Sequence, residues 1–173
     1  MTIIEFDGKR PKIGKSCYID PSSIIIGDVT IKEKSSVWPN ATIRGDLNSI
    51  QIGVETNIQD GCVIHTTKDE HTIIGNCVTL GHGAIAHACE IGNYVLVGMG
   101  ATIMSFATVD DWSIVAAGSV VIEGTHLPSK TLVMGTPARI IKTLNLRHFD
   151  IIRNSLKAYG DLRDKYIKLK SGR

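Results

Sequence analysis

Aliphatic residues recur at every sixth position through most of this chain, and few folds can use that period. They fall at Ile13, Ile19, Ile25, Ile31, Val37 and Ile43, at Ile52, Ile58 and Ile64, and at Ile74, Leu80, Ala86 and Ile91; they continue through Val97, Ile103, Val109, Val115, Val121, Leu127 and Val133. Of these 20 positions 19 are Ile, Val or Leu. A helix repeats near 3.6 residues and a lone strand near 2, so a period of six reads as a short strand followed by a turn. The residue four places after each aliphatic is small at 16 of the 20 positions, the exceptions being Leu47, Lys68, Glu90 and Pro137. Three of those exceptions sit where the spacing itself departs from six, at 43 to 52, 64 to 74 and 86 to 91.

One large and one small inward residue per hexad fill a narrow prism, with three hexads to a triangular coil and coils stacked at about 4.8 Å. The pattern resembles the hexapeptide-repeat proteins, and that resemblance implies an all-β solenoid, a left-handed parallel β-helix. The left hand comes from the resemblance alone, since it runs against the usual right-handed crossover. Past Pro137 the repeat stops, and Phe149, Ile152, Leu156, Tyr159, Leu162, Tyr166 and Leu169 follow at helical spacing. The expected organisation is a β-helix over 1–142 and a packed C-terminal helix over 143–173.

Composition narrows the function classes. Nineteen Lys and Arg against 17 Asp and Glu leave a charge of only +2, which argues against a nucleic-acid surface. No apolar run approaches the length of a membrane span, and the first residues turn charged too early for a signal peptide; a soluble cytoplasmic protein is expected. The four cysteines form no CxxC pair, so they are expected as buried small residues in a reducing compartment.

Three of the six histidines occupy positions that the repeat makes meaningful. Calling the hexad at Ile43 face a, successive hexads place Ile52 on face b, Ile58 on face c, and Ile64 and Ala86 back on face a. The residue after each inward aliphatic points outward. On face a this stacks Arg44, His65 and His87 on consecutive coils, between Ile26 on one side and Met104 and Ile122 on the other. His65 and His87 are then one strand spacing apart and able to share an ion. His82 follows Leu80 on face c, around a corner, and is expected to reach only the ion of a neighbouring chain. Two histidines from one subunit and one from the next require packing around an axis, and the apolar column on face a supplies contact area for a homotrimer. Three imidazoles with an open fourth position describe a catalytic zinc site, although iron and cobalt suit imidazole equally.

The segments WPNATIRGD, TNIQD, VIH and GHGAIAH together resemble the gamma-class carbonic anhydrases, over nearly the whole chain. The resemblance implies metal ligation by His65, His82 and His87 and hydration of CO2 to bicarbonate by a metal-bound hydroxide. It assigns catalytic roles to Gln59, Arg44 and Asp60 and supporting roles near the metal or the interface to Asp46 and Asn57. The archetype of the family carries a glutamate shortly after the RGD-like aspartate and an acidic loop before the GH segment as a proton relay. This chain has Leu47 at the first place and TTKDEHT at the second, leaving Asp69, Glu70, His71 and Tyr159 as possible relay groups.

Two other readings use the same prism. One is an acyltransferase or thioesterase with a single histidine as general base, which predicts acyl-CoA binding and no stoichiometric metal. The other is a catalytically weak trimeric scaffold that binds metal without hydrating CO2.

Overall fold

The structure is a computed structural model that describes residues 2–171. Its body is a left-handed parallel β-helix of about 7 turns, followed by one helix. The three faces carry the columns that a six-residue period demands. On face a, Ile3, Ile25, Ile43, Ile64, Ala86, Ile103 and Val121 stack in parallel register. Ile13, Ile31, Ile52, Ile74, Ile91, Val109 and Leu127 stack on face b. Face c stacks Ile19, Val37, Ile58, Leu80, Val97, Val115 and Val133. From Ile25 to Val121 every inward residue of face a is 0% exposed, and burying an Ile of this kind stabilises the fold by roughly 1.5–3 kcal/mol.

The corners explain the second register. Three residues after an inward aliphatic the chain turns with φ between 55 and 68°, as at Ser16, Lys34, Asn40, Glu55, Gly61, Cys77, Gly83, Tyr94, Gly100, Phe106, Trp112, Gly118, Gly124 and Lys130. Left-handed backbone costs a side chain roughly 1–2 kcal/mol, yet most of these residues are not glycine. One position later the chain re-enters the prism, where only a small group fits: Ala41, Cys62, Ala84 and Ala101 are fully buried. Where that residue is Ser or Thr its hydroxyl serves the next coil, as Ser35 Oγ donates to the Gly53 carbonyl (2.7 Å) and Thr56 Oγ1 to that of Gly75 (2.8 Å). Gly75 itself is obligatory, because a Cβ there would lie 2.6 Å from the Gly92 carbonyl oxygen.

The three departures from period six all fall at the corner between faces a and b. Thr42–Ile52 runs round it as one strand, as Ile24–Ile31 does one coil earlier. Residues 66–71 bulge out as a loop between Val63–His65 and Thr72–Ile74, and Ala88 makes the tight step with φ 47°. These corner irregularities adjoin the histidine column of face a.

Both ends differ from the sequence expectation. Thr2–Ile4 adds to face a before the repeat is recognisable. At the other end Thr131–Gly135 and Ala138–Thr143 form an antiparallel hairpin across a cis Thr136–Pro137 peptide, where the sequence reading had the repeat simply ending. The hairpin pairs the last strand and so covers a sheet edge.

Helix α1 (Leu146–Ser171) lies along face c. The Asn145 backbone N–H donates to His148 Nδ1 at its start (3.1 Å), doing what a capping box does. Ile152 packs with Ile114 and Leu144, flanked by Leu96, Trp112, Phe149 and Leu156. Further along, Tyr159 and Tyr166 meet Trp38 edge-on at centroid distances of 5.3 and 5.2 Å. Gly160 does not interrupt the helix. With face c covered, the outward apolar residues of face a stay exposed, Ile24, Val63 and Ile85 in the column before the inward residues and Met104 and Ile122 in the histidine column after them. Among the described residues no helix is long and apolar enough to cross a membrane.

Candidate metal centre

Parallel register sets the first half of the centre. Arg44, His65 and His87 pair on consecutive coils of face a. His65 Nδ1 lies 3.3 Å from His87 Nε2. Two nitrogens bound at about 2.0–2.1 Å to one tetrahedral ion are separated by about 3.3–3.4 Å. The opposite nitrogen of each ring is anchored: His65 Nε2 lies 3.0 Å from Asp46 Oδ1, and His87 Nδ1 lies 3.0 Å from Ser105 Oγ. This arrangement of an imidazole backed by a carboxylate or hydroxyl is the one that fixes tautomer and ring direction in metal sites. The donor set therefore fits a divalent ion.

Electrostatics favour the neutral imidazole at His87, whose pKa is lowered by burial first and then by His65 and Arg44. Burial raises the Asp46 carboxyl, but hydrogen bonds from Arg44 and His65 outweigh it and leave the pKa below the usual value. Arg44 Nη1 donates to Asp46 Oδ2 within the same chain. That guanidinium thus holds the acid that holds His65. Ser105 is the residue that sequence reasoning missed; the available signal was a polar side chain one coil beyond His87.

The second half lies on face c. His82 Nδ1 is 2.9 Å from Asp60 Oδ2, one coil below at the same offset. His82 Nε2 is 3.3 Å from the Tyr159 hydroxyl of α1. Burial, then Asp60 and Cys62, raise the Tyr159 pKa and keep it a hydroxyl. Gln59 is 4% exposed; its Oε1 accepts the His82 backbone N–H (3.2 Å) and its Nε2 donates to Asn57 Oδ1 (3.1 Å). Asn57 in turn donates to Thr79 Oγ1 (2.9 Å). Beside His82 a cavity of about 440 Å³ is lined by Gly81, Leu96, Met99, Ala116 and Tyr159 among others.

His82 does not join His65 and His87 in one chain. Among the described residues the group of three that brings ligand atoms within 4.8 Å of one another is Glu70, His71 and Glu90. Glu70 and His71 belong to the loop after His65, and the exposed Asp69 sits beside them.

Residues 10–45 and 88–123 match the bacterial transferase hexapeptide (six repeats) family. CaiE, the carnitine operon protein of Escherichia coli, is 39% identical over 162 residues, covering 94% of this chain and 83% of CaiE. The chain belongs to this family of hexapeptide-repeat proteins, which includes the gamma-class carbonic anhydrases. Mitochondrial gamma carbonic anhydrase 1 of Arabidopsis thaliana is 36% identical over 167 residues, and the chain spans 61% of its length. A crystal structure of a hexapeptide transferase family protein from Anaplasma phagocytophilum superposes with a TM-score of 0.92 at 35% identity, covering 95% of this chain and 98% of that one. The coil and the terminal helix are thus shared with that protein.

Proposed function

We propose that the chain assembles as a homotrimer and hydrates CO2 reversibly to bicarbonate at a divalent-metal centre shared by neighbouring subunits. His65 and His87 come from one subunit and His82 from the next. The observation that carries the reading is the pair of imidazole nitrogens at 3.3 Å, backed by Asp46 and Ser105, with the third histidine held on another face. The exposed apolar column of face a surrounds that pair and is the surface a second copy would cover.

When bound, a divalent ion supplies the Lewis acidity that brings the pKa of water to about 7. Zinc fits the donor set, as do iron and cobalt. The protein's own groups do the positioning. Asp46, kept ionised by Arg44, holds one nitrogen of His65 so that the other faces His87. Asp60 holds His82 Nδ1, which makes Nε2, beside the Tyr159 hydroxyl in the single chain, the atom for the neighbour's ion. Gln59 is fixed by its contacts to Asn57 and His82, leaving an amide N–H free to orient a substrate oxygen. Asp69, exposed on the loop after His65, and Tyr159, against His82, are the positions from which a proton can pass to buffer.

Stopped-flow CO2 hydration by metal-loaded protein, beside His82→Ala, tests the reading. Activity in the parent and none in the variant is expected; a parent no faster than buffer with every metal would leave a metal-binding scaffold. The cavity beside His82 favours a second reading, acyl transfer from an acyl-CoA. That reading predicts saturable acetyl-CoA binding by metal-free protein, lost when Met99→Trp fills the cavity.

A further inference from the structure

We propose that Glu70, His71 and Glu90 form a second site for a divalent transition-metal ion, on the corner loop and independent of the three-histidine centre. His71 Nδ1 lies 3.2 Å from Glu70 Oε1, and its Nε2 lies 3.5 Å from Glu90 Oε1. The second contact is not a hydrogen bond, so the Nε2 atom is shielded from water without a hydrogen-bond partner, while the His71 side chain as a whole is 37% exposed. A nitrogen in that position costs desolvation energy unless something binds it. The three residues bring one ligand atom each within 4.8 Å of one another. Atoms sharing one ion at about 2.0–2.2 Å lie about 3–4.4 Å apart, a difference that small side-chain rotations close.

The backbone holds these groups in place. Ile73 and Glu90 are register partners on adjacent coils. The loop is braced by Thr67 N–H to the Glu70 carbonyl (3.1 Å), Glu70 N–H to Thr67 Oγ1 (3.0 Å) and His71 N–H to Glu70 Oε1 (3.1 Å). Glu70 and Glu90 also border a cavity of about 90 Å³ with Ala88, Phe106 and Thr108, room for the waters that would complete an ion's shell. One imidazole with two carboxylates selects zinc, manganese, iron or cobalt over calcium or magnesium. Thr72 Oγ1 donates to the His65 carbonyl (2.6 Å), so an ion here pins the loop directly attached to the His65 strand. It would also withdraw Glu70 and His71 from any proton relay.

Equilibrium dialysis of the full chain against Co²⁺ tests the site, with His82→Ala used to disable the shared centre. His82→Ala is expected to retain one ion per chain. Adding Glu90→Gln, nearly isosteric, or His71→Ala is expected to weaken that ion at least about tenfold. Hydrogen exchange in residues 66–71 should slow on Co²⁺ loading of His82→Ala and not of the double variants. If the three-histidine centre is absent, wild type binds a single ion that Glu90→Gln weakens, so the two readings fail separately. No Co²⁺ uptake by His82→Ala, or equal uptake with and without Glu90→Gln, overturns the site and leaves His71 as a packing residue between two carboxylates.

Discussion

The two halves of the candidate centre are built to different standards. On face a the His65 side chain is 14% exposed and its partner Asp46 18%; on face c His82 is 47% exposed and Asp60 45%. The face a histidines are stacked by strand register, and each is anchored at the ring nitrogen that faces away from the other. His82 sits at a turn, fixed by one carboxylate and a hydroxyl from the terminal helix. A buried, preorganised half facing outward beside an apolar column, and an exposed half on another face, is what a site completed by a second copy requires. Asp46 ties His65 to Arg44 as well, whereas Asp60 meets His82 at an exposed turn, so the same substitution should cost less on face c than on face a.

Removing a ligand has the largest expected effect. His65→Ala, His87→Ala and His82→Ala should each lower CO2 hydration at least about a hundredfold with loss of bound metal, read by stopped flow and elemental analysis. The halves should then separate. Asp46→Asn is expected to weaken metal binding toward the upper end of the 10–100-fold range for a group backing a ligand, and Asp60→Asn toward the lower. Competition with a chelator measures both; equal losses would remove the distinction between the halves. Ser105→Ala deletes one neutral hydrogen bond to His87, worth about 0.5–1.5 kcal/mol and at most about tenfold in affinity. Smallest of all should be Tyr159→Phe, which removes a long 3.3 Å hydrogen bond at the edge of the site, at the weak end of about 0.5–1.5 kcal/mol, and should change affinity less than about threefold.

How much of this was legible in the sequence follows from which residues the fold constrains twice. Inward positions such as Ile43, Ile64 and Ile103 must be apolar and must recur, so the columns could be read directly, and with them the faces of Arg44, His65 and His82. Ile3 could not be counted, because it stands ten residues before Ile13 and beside Ile4, which fits no six-residue spacing. The hairpin strand Ala138–Thr143 was hidden because its outward Ile140 and Ile141 are exposed and follow neither a six-residue nor an alternating pattern. Ser105 was hidden for a related reason: serine is unremarkable beside a corner, and the coil register sets Met104 rather than Ser105 level with His87, so only the fold of the corner brings the hydroxyl to His87 Nδ1. The pairing of Arg44 with Asp46 inside one chain likewise depends on how the corner at residues 45–49 folds, which no spacing rule specifies.

The most direct test of a shared centre is complementation between two inactive variants. His65→Ala and His82→Ala are each expected to be inactive as homotrimers, while mixed trimers restore one intact interface, where a subunit with its own His65 and His87 meets a subunit with its own His82. Coexpression in equal amounts with random assembly should recover about a quarter of wild-type CO2 hydration. Activity no higher than that of either variant alone would contradict a centre built between subunits.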